Sequence, residues 1–309
     1  MVLAKGGESR TVVVPTPRPI PVTPMPTPAK VVKRTPILRP PVSGRRTLPD
    51  GAELVFIPAG EFTMGSNDYA DEKPVHKVYL DSYYIAKTPV TVKQYLAFCA
   101  ATGHAKSSAP DFNANWSKEA HPIVNVSWND AVAYCAWVSR ESGLKVSLPT
   151  EAQWEKAARG KDGRKFPWGN TFDGSRLQHS TAKLGDAGGT AAVGSFPDGA
   201  SSYGVLAMAG NVFQWCAYYY GETYYASSPK TNPPGSGSGS ARVLRGGSWD
   251  GDDEGDFRCV FRGGDAPVNR YYGLEFRCVV SADSSSLFGI ARVRFITMDR
   301  NAHGESLRT

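Results

Sequence analysis

RVLRGGSWDGDDEGDFRCVFRGGDAPVNRYYGLEFRCVV, residues 242–280, alternates two textures. Arg245-Gly246-Gly247-Ser248-Trp249, Phe257-Arg258-Cys259, Arg262, Asn269-Arg270 and Phe276-Arg277-Cys278 have the regularity of a scaffold. Between them, residues 250–256, Gly263-Gly264-Asp265 and Tyr271-Tyr272-Gly273 show no apolar periodicity that a core could use. These three gaps read as display positions, and the two Phe-Arg-Cys triplets read as separate strands.

Outward from this stretch, composition bounds the rest. A chain of 309 residues that is 41% apolar can build one large core or two small ones, and one domain with tails fits best. The formal charge of +6 suggests nucleic acid, but residues 1–48 carry nine Lys and Arg against Glu8 alone. That leader's excess of +8 is larger than the total, so the remainder sits near −2 and has no basic footprint. No apolar run reaches membrane-spanning or signal-peptide length, which makes the cytoplasm the default location. Cys99, Cys135, Cys216, Cys259 and Cys278 follow neither a metal-knuckle nor a secreted-disulfide spacing and read as small buried hydrophobes.

Residues 1–49 are dense in Pro, Thr and Val and read as a basic, semi-rigid, polyproline-like linker. Globular texture begins near Asp50 and runs to residue 282. Short strands are expected at residues 54–58, 60–65 and 75–80. Thr91 and Gln94 resemble a capping box, placing a helix near 91–101. Asn129 or Asp130 opens a second helix near 129–141, and Thr150 a third, with Glu151 in its first turn. Beyond Arg159 the loops are long and rich in Gly, Asp and Ser, a pattern usually tied to function. Trp128, Trp137, Trp154, Trp168 and Trp215 are natural payloads for a loop-rich core. Residues 283–309 form a C-terminal extension, either an added strand around residues 289–296 or a tail.

The ordered series of short motifs narrows this to a family. Phe62-Thr63-Met64-Gly65, Glu72-Lys73-Pro74-Val75-His76, Pro89-Val90-Thr91, His121-Pro122-Ile123-Val124-Asn125-Val126-Ser127-Trp128, Leu148-Pro149-Thr150-Glu151, Pro167-Trp168-Gly169, Gly210-Asn211-Val212 and Arg245-Gly246-Gly247-Ser248 occur in succession. Together they resemble the formylglycine-generating-enzyme, or sulfatase-modifying factor, family. That resemblance implies an α+β, C-type-lectin-like fold: a small antiparallel sheet, two main helices and many irregular loops.

Enzymes of that family oxidise a substrate cysteine through a cysteine pair shortly after the Gly-Gly-Ser block. Here no cysteine lies between Ser248 and Phe257, so the thiolates such copper and oxygen chemistry needs are missing. No catalytic residue is assigned. The resemblance also implies that Cys135 and Cys278 can pair, as a disulfide or as adjacent thiols, and that calcium can bind near Gly210-Asn211-Val212-Phe213-Gln214. Ala207 and Gln214 replace oxygen and carboxylate ligands there, while Asp186 with a carbonyl near Gln178 or His179 offers a partial second site. No cofactor is therefore expected beyond a structural calcium whose ligands match only in part, and no metal ligand is assigned. His76, His104, His121, His179 and His303 are scattered. The carboxylates of Asp252, Asp253 and Glu254 read as a solvated loop, since nothing positions a base beside them.

The stretch from residue 245 to 277 is more similar to the variable proteins of diversity-generating retroelements. Their framework surrounds gaps in which adenine mutagenesis turns Asn codons into Asp, Gly, Tyr and Ser. The resemblance implies a non-catalytic, receptor-like protein that displays diversified residues. Its ligand-binding residues are then Trp249, Asp250, Gly251, Asp252, Asp253 and Asp256 from the first gap. Phe261, Gly263, Gly264 and Asp265 come from the second, and Tyr271, Tyr272 and Gly273 from the third. Tyr offers contact area with few rotors, and Asp and Gly offer polar reach. The partner expected is a protein or other macromolecule; nucleic acid could engage only the basic leader, and no membrane is involved. A formylglycine-generating or maturation enzyme is the alternative. Glu275, where that group usually has Gly, is a departure.

Overall fold

The computed structural model describes residues 46–181 and 188–282. Most of the Pro-rich leader, Asp186, His303 and the extension at 283–309 lie outside the described residues.

Each of the three α-helices begins with a reciprocal cap. In α1 (Val92–Thr102) the Gln94 amide N–H donates to Thr91 Oγ1 while the Thr91 N–H donates to Gln94 Oε1. In α3 (Glu151–Arg159) Thr150 and Gln153 repeat the arrangement. Between them, α2 (Trp128–Ser142) starts at Ser127, not at Asn129 or Asp130; Asp130 instead reaches back to accept the Ser127 N–H at 2.8 Å. These boxes satisfy amides that a helix start would otherwise strand.

Short strands supply the rest: β1 (Arg46–Thr47), β2 (Glu53–Ile57), β3 (Gly60–Met64), β4 (His76–Leu80), β5 (Tyr83–Ala86), β6 (Val146–Ser147), β7 (Phe213–Tyr219), β8 (Arg242–Arg245), β9 (Gly263–Asp265), β10 (Leu274–Glu275) and β11 (Val279–Ser281). A single small antiparallel sheet is not what they form. One antiparallel sheet runs β1-β2-β5-β11-β6, a second runs β10-β7-β8-β9 with β10 parallel to β7, and β3-β4 stand as a hairpin. Phe257-Arg258-Cys259 closes a 3-10 turn, and Phe276-Arg277-Cys278 is an extended link between β10 and β11, so neither triplet is a strand.

Alternation along β7 and β11 divides the core. Trp215 and Val280 face a cluster with Tyr95, Phe98, Tyr134 and Phe276, against α1 and α2. Their neighbours Cys216 and Val279 face the other cluster, with Ile57, Phe62, Val78 and Trp154, against α3. Only Trp154 and Trp215 of the five expected tryptophans are fully buried; Trp128, Trp137 and Trp168 are half-exposed at the margins. All five cysteines are buried, with the Cys135 and Cys278 sulfurs 3.7 Å apart as thiols.

Candidate functional site

The sheet β10-β7-β8-β9 carries all three gaps. Gap one follows β8, gap two coincides with β9, and gap three precedes β10. What holds them is a set of framework arginines, all buried except Arg270. The Arg245 guanidinium donates to Glu151 at 3.3 Å and Glu155 at 2.6 Å, and to the carbonyls of Cys259 and Val260. Arg262 grips both oxygens of Glu151 at 2.7 and 2.9 Å. Arg258 pairs with Glu72 at 2.8 Å, Arg270 with Asp130 at 2.8 Å, and Arg277 donates to Gln214 Oε1 at 2.6 Å. Burial pushes the Glu151 carboxyl up, but Arg262 and Arg245 outweigh it and hold it below the usual glutamate range. Asp130 is likewise held low: burial opposes, and Ser127, His104 and Arg270 prevail.

After Arg245 the chain turns through Gly246 and Gly247 at φ +102° and +77°. A Cβ on Gly247 would sit 2.6 Å from the Phe257 ring, so both conformation and space require glycine. The turn delivers Ser248 and Trp249. Trp249 donates its indole N–H to the Tyr272 carbonyl at 3.2 Å and packs between the Phe112 and Tyr272 rings, at 5.3 and 5.7 Å. The third gap is thus tied to the first. Its other two carbonyls are also engaged, Tyr271 O by the Asn125 N–H at 2.9 Å and Gly273 O by the Phe213 N–H at 2.7 Å.

Between the gaps lies a cleft of about 290 Å³. Phe213, Leu244 and Leu274 give it apolar lining; Ser248, Asp250, Gly264 and Asp265 join Tyr271, Tyr272 and Gly273 around it. Tyr271 and Tyr272 are 50% and 49% exposed. Gly273 is buried and contributes backbone. Gly263 pairs with Leu244 across the strands, and Phe261, half-buried, lies 6.1 Å from the Phe213 ring.

The remainder of gap one does not join this cleft. Asp252, Asp253 and Asp256 run on toward Phe257, which packs on Phe172 and His179 at 6.1 Å, and Glu254 lies 3.9 Å from Lys165. Asp253 caps the 3-10 turn at Glu254–Phe257 by accepting the Gly255 N–H. Burial, then Asp253 and Asp252, raises the Asp256 carboxyl. Gly251 is pinned through its carbonyl by the Ser180 N–H. Phe112 and Phe213 were not legible in the sequence as neighbours of the gaps, nor were the partners of the framework arginines: carboxylates for Arg245, Arg258, Arg262 and Arg270, and the Gln214 amide oxygen with backbone carbonyls for Arg277. The first pair carried no local signal; the second was visible only as an excess of arginine at regular positions.

The family's metals fit poorly. Gln214 spends its amide on Trp154, Arg277 and the Ala207 carbonyl, and Asn211 spends its own on Ala191. The Leu206 and Ala207 carbonyls receive Arg277, a cation already in place where oxygen donors converge. Burial lifts the Cys259 thiol to about 12, the opposite of what a thiolate ligand for copper requires. Larger depressions of about 460 and 560 Å³, beside α2 and within residues 168–176, contain no gap residue. Among the described residues no helix is long and apolar enough to cross a membrane.

Mixed α+β layers around an arginine-clamped Gly-Gly-Ser turn define a recognisable class. The chain belongs to the sulfatase-modifying factor enzyme 1-like family, whose model matches residues 40–282. It is 36% identical to the formylglycine-generating enzyme of Streptomyces coelicolor, over 75% of this chain and 90% of that one. It is also 39% identical to the inactive C-alpha-formylglycine-generating enzyme 2 of Mus musculus, over 74% and 86%. Among solved structures, Treponema denticola variable protein 1 is similar with a TM-score of 0.66 at 26% identity, covering 78% of this chain and 100% of its own. The fold is the α+β, C-type-lectin-like one.

Proposed function

We propose that the chain is a non-catalytic, receptor-like binding protein of the retroelement variable type, working in the cytoplasm. It presents Trp249, Asp250, Gly264, Asp265, Tyr271, Tyr272 and Gly273 to a protein or other macromolecular partner. The observation that carries this reading is the division of labour within residues 245–277. The framework arginines are spent on internal carboxylates and carbonyls, while one or more residues from each gap, Asp250, Asp265, Tyr271 and Tyr272 among them, surround one shallow cleft. Likeness to a variable protein over its whole length supports the reading. So does the absence of cysteine between Ser248 and Phe257. Sequencing the locus in independent isolates tests it. Substitutions should concentrate in codons 250–256, 263–265 and 271–273 and spare Arg245, Arg262, Arg270 and Arg277; an even spread of changes overturns it.

A second reading, an enzyme that makes formylglycine, is favoured by the 36% identity to the Streptomyces enzyme. The purified chain with copper, oxygen and a cysteine-containing sulfatase peptide should leave the thiol unconverted. Aldehyde formation dependent on a native cysteine would establish the enzyme instead.

A further inference from the structure

We infer that the cleft accepts a cationic side chain, lysine or arginine, projecting from a protein partner; this rests on the display reading above. Two carboxylates line the cleft with no counterion among the described residues. Asp250 is exposed and accepts no hydrogen bond among the described residues. Asp265 uses Oδ1 for the Ala266 N–H and the Asn269 amide, each at 2.7 Å, and Oδ2 engages nothing there. The nearby arginines are committed elsewhere. Arg242, directly across the strands from Asp265, is sandwiched between Trp128 and Tyr219 at 3.7 and 3.6 Å. Arg270 is tied to Asp130.

An independent observation points into the same space. Ser248 lines the cleft, is 2% exposed, and its Oγ has no hydrogen-bond partner among the described residues. A buried hydroxyl left unmatched is unfavourable unless a ligand completes it. A Cβ on Gly273 would lie 2.5 Å from that Oγ and 3.8 Å from Asp250 Oδ1, so hydroxyl and carboxylate flank one point.

Size and ring placement narrow the class. At about 290 Å³ the cleft is at the lower limit for a small-molecule pocket, which suits a single projecting side chain. Tyr271 and Tyr272 offer half-exposed rings beside the carboxylates, and an ammonium or guanidinium gains from both ring face and charge. An anionic partner meets two unshielded carboxylates, and a neutral one leaves them desolvated.

The test titrates the full chain with four short peptides identical except for a central Arg, Lys, Gln or Glu, following binding by calorimetry at low and high salt. The Arg and Lys peptides should bind at least about tenfold more tightly than Gln, the scale of one charge-assisted contact. Binding should weaken as salt rises and fall in Asp250→Asn, whose carboxylate holds nothing in the fold, and further with Asp265→Asn. A Gln peptide that binds equally well, or no peptide binding at all, overturns the inference. Selection of a random-peptide library on the wild type and on Tyr271→Ala/Tyr272→Ala separates the two readings. Selected peptides that need the tyrosines but lack Lys and Arg sink the cationic inference and leave the display reading standing. Peptides that bind the double variant undiminished sink the display reading itself.

Discussion

Arg245 and Asp250 are near neighbours in sequence under opposite constraints. Arg245 is fully buried, joined to Glu151 and Glu155 and to two carbonyls; Asp250 is exposed and joined to nothing among the described residues. A weaker form of the contrast separates Arg262, gripped through both oxygens of Glu151, from Asp265, whose Oδ2 engages nothing among the described residues. Buried charge in this domain is bound into internal ion pairs and hydrogen bonds, whereas the carboxylates at the cleft, Asp250 and Asp265, have no cationic partner among the described residues. A single chain segment can therefore hold a fixed shape and still vary, because shape and variation are assigned to different residues.

The most severe way to probe that assignment is Arg245→Met. Removing one member of a buried ionic cluster leaves Glu151 and Glu155 short of a partner, so denaturant unfolding should show a loss of about 3–5 kcal/mol. A loss below about 1 kcal/mol would mean the inner charges are dispensable and the contrast is false.

Next in size is a pH effect. Burial raises the Glu275 carboxyl well above its ordinary value of 4.5, with Arg277 opposing, so the fold keeps a proton that the unfolded chain releases. The stability this provides is complete below about pH 4.5 and is lost as pH rises through the folded value. Glu151 and Asp130 behave oppositely: held below 4.5 and 3.8, they stabilise above those values and cease to do so as pH falls through their lowered ones. Thermal melts from pH 3 to 9 should trace a dome, and Glu275→Gln should flatten its alkaline side, gaining about 1–3 kcal/mol at pH 8. An unchanged alkaline slope in that variant would sharpen the comparison by showing that another group titrates.

At the gaps the effects on stability shrink. Tyr271→Ala with Tyr272→Ala should cost roughly 0.5 kcal/mol each, as surface changes do, yet abolish partner binding; unfolding of the double variant would make the tyrosines core residues. Smallest of all, Asp252→Asn should leave the melting temperature within about 1 °C, the scale of a surface change. A larger shift would show that the acidic part of gap one supports the fold.

What the sequence disclosed follows the range of each interaction. The box at Thr91 and the helix start at Thr150 depend on residues within four positions and were legible locally, although the Gln153 half of the second box was not read. At the second helix, Asn129 and Asp130 are as good a cap chemically as Ser127, and only the backbone shows that Asp130 sits at the third helical position. Residues 54–58 and 60–65 read correctly as strands, but their partners did not. β2 pairs with β5 and β3 with β4, a choice made by tertiary packing. The carboxylates gripping Arg245 and Arg262 lie about a hundred positions earlier, beyond the reach of periodicity or spacing. The gaps were visible because they lack a core pattern; that gap one divides at Gly251 was not, since its two halves have the same composition.

The three carbonyls of residues 271–273 are each held from outside by an N–H group, and none of the accepting atoms belongs to a side chain. That docking is blind to which amino acid occupies 271 or 272. Any of the residues that codon-level drift could install there would inherit the same path for the main chain, the same anchorage to Asn125, Trp249 and Phe213, and the same direction of projection. The loop behaves as a socket with a standard fitting, so a library randomised at these two positions should lose few members to misfolding and sample recognition chemistry almost free of architectural cost.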